Sequence, residues 1–221
     1  MILYGRTIQI LCAAFLLVLV CPFLIIAIFA IWLESGGKVI FKQIRIGQNC
    51  RTFKIYKLRT MQAVPLKGQN DLFPQKDLYV TRVGRCLRIL KIDEFPQLLN
   101  IIKGDMNFVG PRPLRQYLHN FYAEEIQNFD KRYEILPGII GLSQIIDPSD
   151  SNRELGLTCD LYYIRHRSLK LDLLIGYYTL VYVIFGIIGR VYASIRRSIF
   201  NRIECDSKRT LSLPDSIFDS L

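Results

Sequence analysis

From Ile8 to Leu33 the chain reads IQILCAAFLLVLVCPFLIIAIFAIWL, a run with no charged side chain in which Gln9 is the one strongly polar residue. At about 1.5 Å per residue, a helix over this run is long enough to cross a bilayer core of about 30 Å. Pro22 lies near its middle, where it removes a hydrogen bond to the carbonyl of Val18 and disfavours a straight helix. Two readings stand. One is a kinked helix that spans the bilayer; the other is a re-entrant helix that turns at Cys21-Pro22 and leaves by the leaflet it entered. Arg6 precedes the run, and Lys38, Lys42 and Arg45 follow it. Cations on both flanks blur the positive-inside signal and suit two cytosolic ends. A cleaved signal peptide is not expected, because the apolar core is too long and no A-x-A-like site follows it.

The charge balance points the same way. The formal net charge is +10, from 29 Lys and Arg against 19 Asp and Glu, while 51% of residues are apolar. Such a surplus suits nucleic acid, lipid headgroups or a phosphorylated substrate, and its pairing with hydrophobicity favours a membrane surface and phosphate chemistry. No aromatic-and-basic recognition motif supports nucleic-acid binding. The six cysteines include no C-x-x-C pair, so reduced thiols are expected, and zinc is not, with only His119 and His166 available.

Beyond the turn signal Ser35-Gly36-Gly37, alternation at Val39, Phe41, Gln43 and at Phe53, Ile55, Lys57 predicts short strands around Gly47-Gln48-Asn49. Residues 63–78 read as a loop. Phe95, Leu98, Leu99 and Ile102 fall on one apolar helical stripe. A further helix is expected from Leu114 to Tyr133, ended by Leu136-Pro137-Gly138. The run from Leu173 to Gly189, with Tyr177, Tyr178 and Tyr182, reads as an interfacial or core-packed helix whose basic end (Arg190, Arg196, Arg197, Arg202) meets headgroups. This tyrosine-rich run is also a candidate surface for a homodimer.

The most informative segment is K-I-D-E-F-P-Q-L-L-N, Lys91 to Asn100. Pro96 is tolerable only near a helix start, which puts Asp93 and Glu94 in the first turn, where the macrodipole favours negative charge. Asp93, Gln97 and Asn100 lie opposite the Phe95 stripe. Alone, the two acids read as ordinary capping carboxylates. Arg82, Arg85, Arg88 and Lys91 recur every third residue before them, either as a solvated face or as a row that holds phosphates. Further on, Pro111 and Pro113 fix the chain around Arg112. A guanidinium so held suits bidentate phosphate contact, and its plainer reading is a turn arginine.

Together with K-G-D-M-N-F-V-G-P-R-P, Lys103 to Pro113, this segment resembles the signature of the bacterial sugar transferases, the monotopic polyprenyl-phosphate phosphoglycosyl transferases. F-K-Q-I-R-I-G, Y-K-L-R-T-M, V-T-R-V-G-R-C-L-R, P-G-I-I-G-L-S-Q and D-L-Y-Y-I-R-H-R-S-L-K-L-D-L match in order, so that the resemblance covers roughly residues 4–190. It implies an α+β, mostly helical, small membrane-embedded domain. Its parts would be a re-entrant helix-break-helix at Cys21-Pro22, a short β-hairpin and interfacial amphipathic helices. The expected division is a membrane helix over 1–34, a cytosolic catalytic domain over 35–200 and a polar tail over 201–221. The location implied is the bacterial inner membrane, with the catalytic domain facing the cytoplasm and membrane lipids as partners.

The resemblance also implies a ping-pong reaction with Mg²⁺, in which Asp93 attacks the β-phosphorus of a UDP-sugar, expels UMP and then yields the sugar phosphate to polyprenyl (undecaprenyl) phosphate. Glu94 would hold the metal, and Arg88 and Arg112, with Lys57 and Arg59 of Y-K-L-R-T-M, would contact phosphate. This chain departs from the family at Gly5, Arg6 and Gln9, where a Lys-Arg pair and an Asp are usual, and at Cys21, where a Ser is common. Further departures are Asp77-Leu78-Tyr79 in place of Asp-Pro-Arg, and Leu142-Ser143-Gln144 in place of Trp-Ala-Gln. The alternative in another functional class is a catalytically inactive membrane adaptor in glycan assembly.

Overall fold

The computed structural model describes residues 2–62, 79–147 and 152–185. The expected loop at 63–78, the arginines from Arg190 onward, the tail at 201–221 and Cys205 lie outside them. The chain folds into two interleaved units: Met1–Arg45, Thr52–Met106 and Arg115–Leu118 form the first, and Ile46–Arg51, Asn107–Leu114 and the chain from His119 form the second.

The first unit opens with helix α1, Ile2–Ser35, which contains Pro22 and is helical on both sides of it without a non-helical residue between. Helical hydrogen bonding continues through Cys21-Pro22, where the missing proline donor still permits a bend. Over Gly5–Ser35, α1 is long and apolar enough to cross a membrane. Most of its large side chains, among them Phe15, Val18, Phe23, Ile26 and Trp32, are exposed. Small residues mark where it packs: Ala13 and Ala27 are buried, and Ala27 with Ile31 meets Leu58 and Leu87 in one apolar cluster.

Strands β1, Ile40–Ile46, and β2, Thr52–Leu58, pair in a two-stranded sheet. Their short connection permits only an antiparallel hairpin, as the alternation predicted. Asn49 and Cys50 take the positive φ values that such a tight connection needs.

Helix α2, Arg82–Ile89, is fixed at its start by two side chains. Thr81 Oγ1 accepts the N–H of Gly84 at 2.9 Å, and the Glu34 carboxylate accepts the N–H groups of Arg82 and Val83 at 2.7 and 3.0 Å. These satisfy donors that a helix start leaves free. Gly84 lies so close to Thr60 that a Cβ would meet the Thr60 carbonyl oxygen at 2.2 Å. A tight 3₁₀ helix, Ile92–Gln97, then leads into helix α3, Leu98–Lys103. The start falls where Pro96 required. The apolar stripe is only part of the buried face: Leu98 is buried together with Asp93, Gln97 and Asn100, while Leu99 is exposed and Phe95 and Ile102 are half-buried. The change from 3₁₀ to α at Leu98 rotates the successive side chains, so a single helical period does not hold across the segment.

In the second unit, strands β3, Asn107–Val109, and β4, Gly138–Ile140, pair in parallel with Asn107 opposite Gly138 and Val109 opposite Ile140. Gly110, Gly138 and Gly141 meet backbone to backbone. A Cβ on Gly138 would stand 2.1 Å from the Gly110 nitrogen, and one on Gly141 would stand 2.7 Å from the Gly110 oxygen. Helix α4, Gln116–Glu125, whose first three residues belong to the first unit and the rest to the second, is shorter than the helix expected over Leu114–Tyr133. Asn128, at φ 60°, breaks it in the left-handed conformation that asparagine tolerates, and a 3₁₀ helix, Phe129–Tyr133, follows. Helices α5, Leu142–Ile146, α6, Arg153–His166, and α7, Leu169–Phe185, complete the unit around a core that includes Val109, Ile146, Leu155, Tyr163 and Ile175. Ile175 packs α7 into this core, one of the two readings made from its sequence, and Leu169, Leu173, Tyr177 and Leu180 are exposed. Among the described residues the cysteines are free thiols, as expected.

Candidate active site

Asp93 owes its position to a reversal of the chain. Lys91, at φ 57°, ends α2 in the left-handed conformation and starts the 3₁₀ helix, whose first turn carries Asp93 and Glu94. The Glu94 N–H donates to the Lys91 carbonyl at 3.2 Å. Asp93 is only 8% exposed, and its Oδ1 has no hydrogen-bond partner among the described residues. Burial pushes its carboxyl above the usual carboxylate range, the Glu94 charge pushes the same way, and Lys57, Lys91 and Arg88 oppose them.

Glu94 meets Lys57 of β2, whose Nζ donates to Glu94 Oε1 at 2.6 Å. Asn100 fixes the register that brings them together. Its Nδ2 donates to the Lys54 carbonyl at 2.7 Å, and its Oδ1 accepts the Tyr56 N–H at 3.2 Å. The fully buried amide thus acts as one rung of strand pairing along β2, and a second Nδ2 contact at 3.2 Å goes to Asp105 Oδ2. Sequence placed Asn100 on the carboxylate face; its work of aligning a distant strand had no local signal.

Arg88 stands at the last turn of α2, half-buried, with Nε donating to Thr60 Oγ1 at 2.9 Å. The approach allowed by Gly84 seats α2 on Thr60, where the Thr81 N–H also donates to the Thr60 carbonyl at 3.1 Å. Arg59 points elsewhere: its Nη2 donates to Ser35 Oγ at 2.7 Å and to the Gly36 carbonyl, holding the chain after α1. The first unit therefore brings together Asp93, Glu94 and Lys57, with Arg88 near enough to influence Asp93. Cys21 and Pro22 are exposed within α1.

Arg112 belongs to the second unit. It is half-buried between the buried Pro111 and Pro113, and the Gly138 N–H donates to the Pro111 carbonyl at 3.0 Å. The Arg112 carbonyl accepts from Arg132 Nη2 at 3.1 Å. Arg132 is itself paired with Asp160, Nη2 to Oδ2 at 2.6 Å, and both residues are buried. This pair was not read from the sequence, because its members lie far apart along the chain with no periodic relation.

The chemistry available in the first unit is that of a desolvated carboxylate with an open oxygen, next to a second carboxylate whose charge a lysine balances. Raising a carboxyl's pKa strengthens its anion as a nucleophile, and neighbouring cations favour the anionic form. Among the described residues no three His, Cys, Asp or Glu side chains cluster as a metal cage. Two carboxylates nonetheless suit a magnesium ion that completes its octahedron with substrate phosphates and water.

Comparison with known proteins bears on this arrangement. The family model described as bacterial sugar transferase matches residues 2–186. A UDP-N-acetylgalactosamine-undecaprenyl-phosphate N-acetylgalactosaminephosphotransferase from Aeromonas hydrophila is 36% identical over 82% of this chain and 44% of its own length. A UDP-glucose:undecaprenyl-phosphate glucose-1-phosphate transferase from Caulobacter vibrioides is 39% identical over 76% of this chain and 65% of its own length. An exopolysaccharide production protein from Rhizobium leguminosarum is 34% identical over 75% of this chain and 87% of its own length. The chain thus spans from under half to most of the length of the relatives it matches. With the family model covering nearly all of the described residues, the chain belongs to the bacterial sugar transferase family.

Proposed function

We propose that this chain transfers a sugar-1-phosphate from a UDP-sugar to polyprenyl phosphate at the cytoplasmic face of the bacterial inner membrane, as a first membrane step of glycan assembly. The observation that carries the reading is Asp93: buried, placed in a helix's first turn, with an oxygen lacking any partner among the described residues. The relatives from Aeromonas hydrophila and Caulobacter vibrioides are named for sugar-phosphate transfer between the same classes of substrate.

In this scheme an Asp93 oxygen attacks the β-phosphorus of the UDP-sugar, and the bond from that phosphorus to the bridging oxygen breaks. UMP leaves with the bonding electrons. The aspartyl phosphosugar is then attacked by an oxygen of polyprenyl phosphate, and the Asp93 carboxylate is released unchanged. Glu94 would hold Mg²⁺, which supplies charge neutralisation at the phosphates. Lys57, Arg88, Arg59 and Arg112 are the cations assigned to phosphate contact, of which Lys57 must exchange Glu94 for phosphate and Arg59 must leave Ser35. Covalent capture lets a water-soluble donor and a lipid acceptor use one small site in turn.

For α1 the proposal is a re-entrant helix bent at Cys21-Pro22, so that both ends face the cytoplasm; the exposed apolar side chains along its length support membrane immersion. The test is biochemical. Purified chain with Mg²⁺, undecaprenyl phosphate and a panel of UDP-sugars should release UMP with at least one donor, and a β-³²P-labelled donor should label the protein. Asp93→Asn should abolish both, a loss of several orders of magnitude for a nucleophile. Ordinary turnover by that variant would sink the scheme, and a wild-type protein that never takes label would leave the adaptor reading.

A further inference from the structure

The buried pair of Arg132 and Asp160 is a poor device for stability. Arg132 and Asp160 are 5% and 1% exposed, so both charges are stripped of water, and Arg132 Nε has no hydrogen-bond partner among the described residues. Desolvating two ions costs about as much as their attraction returns, and an apolar pair of like volume is often equal or better. Something other than stability is served by the arrangement.

Its geometry shows where the arginine is directed. One nitrogen, Nη2, meets both Asp160 Oδ2 at 2.6 Å and the Arg112 carbonyl at 3.1 Å. The guanidinium lies against the rings of Phe129 and Tyr133, with centroids 5.1 and 5.8 Å from Cζ. Asp160 is held in turn by Ser143, whose Oγ donates to Oδ1 at 3.3 Å. Pro111 has its own φ fixed and Pro113 holds Arg112 to an extended ψ, but the φ of Arg112 itself stays free, and with it the direction of the Arg112 carbonyl. The bond from Arg132 removes that freedom.

We infer that Arg132, locked by Asp160, is a positioning residue that sets the peptide carrying Arg112 and so aims the Arg112 guanidinium at the diphosphate of the donor. The inference rests on the proposed assignment of Arg112 to phosphate contact. It concerns donor binding, not bond making.

The experiment measures UDP binding by the full chain in detergent with Mg²⁺, by calorimetry, so that no turnover is needed. Arg112→Ala should weaken binding roughly ten- to a hundredfold, the worth of one charged hydrogen-bonding group. Arg132→Met combined with Asp160→Leu removes the pair without stranding a buried charge. It should leave the melting temperature near that of the wild type and weaken UDP binding by a comparable factor. Adding Arg112→Ala to that pair should weaken it no further, because the arginine being aimed is gone. Arg132→Lys, which keeps a cation at the junction, should recover part of the affinity and provides the reading should the paired variant fail to fold.

Wild-type affinity in the paired variant would overturn the inference, as would an affinity loss in Arg132→Lys that adds in full to the loss in Arg112→Ala. Full additivity in the triple variant would do the same, since it would mean general loosening. Wild-type UDP affinity in Arg112→Ala would overturn the role of Arg112 and this inference with it, while UMP release would still judge Asp93 separately.

Discussion

Asp93 carries the opposition between folding and chemistry in a single side chain. Its carboxyl is raised by burial and by Glu94. In the unfolded chain it titrates at about 3.9. Between that value and the higher folded one, the folded protein holds a proton that the unfolded chain has released. Stability therefore falls as pH rises through this window. Above the window the buried anion persists as a standing cost. Asp93→Asn should consequently melt at a higher temperature than the wild type at neutral pH, and the gain should fade on acidification below the window. Thermal unfolding of both proteins across pH 3 to 8 checks the sign. A variant less stable at neutral pH would show that Asp93 makes bonds that the present account omits. A gain in stability on removing the proposed nucleophile would be a common cost of function.

The elements around Asp93 are aligned by contacts of unlike kinds, and these differ in how visible they are in sequence. The placement of the dyad at a helix start was legible because Pro96 restricts its neighbours through its own missing donor. The hairpin was legible from alternation, and the positions of Pro111 and Pro113 from their chemistry. The buried face of the dyad helix was not legible, because the segment changes pitch at Leu98 and moves Asp93, Gln97 and Asn100 inward. Nor was the length of α4, which ends on the backbone tolerance of a single asparagine. The pairings of Asn100 with β2 and of Arg132 with Asp160 join residues separated by long stretches of chain, which no periodicity encodes.

Gly84 is a case where spacing alone gave no hint and the fold supplies the reason. Its missing side chain lets α2 rest on Thr60 and so places Arg88. Gly84→Ala would gain helix propensity at that position, about 1 kcal/mol. The added carbon must nevertheless push the Thr60 backbone aside, at a cost of about 1–3 kcal/mol. The collision is with backbone at 2.2 Å, so the cost should prevail, and the variant should unfold at lower denaturant than the wild type while losing Arg88-dependent donor affinity.

At the scale of the whole molecule, α1 sets the question of topology. Its exposed apolar side chains suit immersion in lipid, and the proposed re-entrant path puts both its ends on one side of the bilayer. In a cysteine-free background, Gly5→Cys and Lys38→Cys should both react with a membrane-impermeant maleimide in inside-out vesicles, and neither should react in right-side-out cells. Labelling from opposite sides would establish a spanning helix.

The opening turn of α1 also has a grip on the catalytic segment: Arg6 donates from Nη1 to the Met106 carbonyl at 2.8 Å and from Nη2 to the Ile101 carbonyl at 2.7 Å. Ile101 lies in α3, the direct continuation of the turn that holds Asp93. A change in the tilt of α1 is thus transmitted to α3 or breaks this clamp. The depth and angle at which a re-entrant helix sits depend on the thickness of the leaflet it enters, so the reaction rate in reconstituted vesicles should vary with acyl-chain length, and Arg6→Ala should blunt that variation. The lipid that surrounds the acceptor would then act on the rate as a mechanical input as well as a solvent.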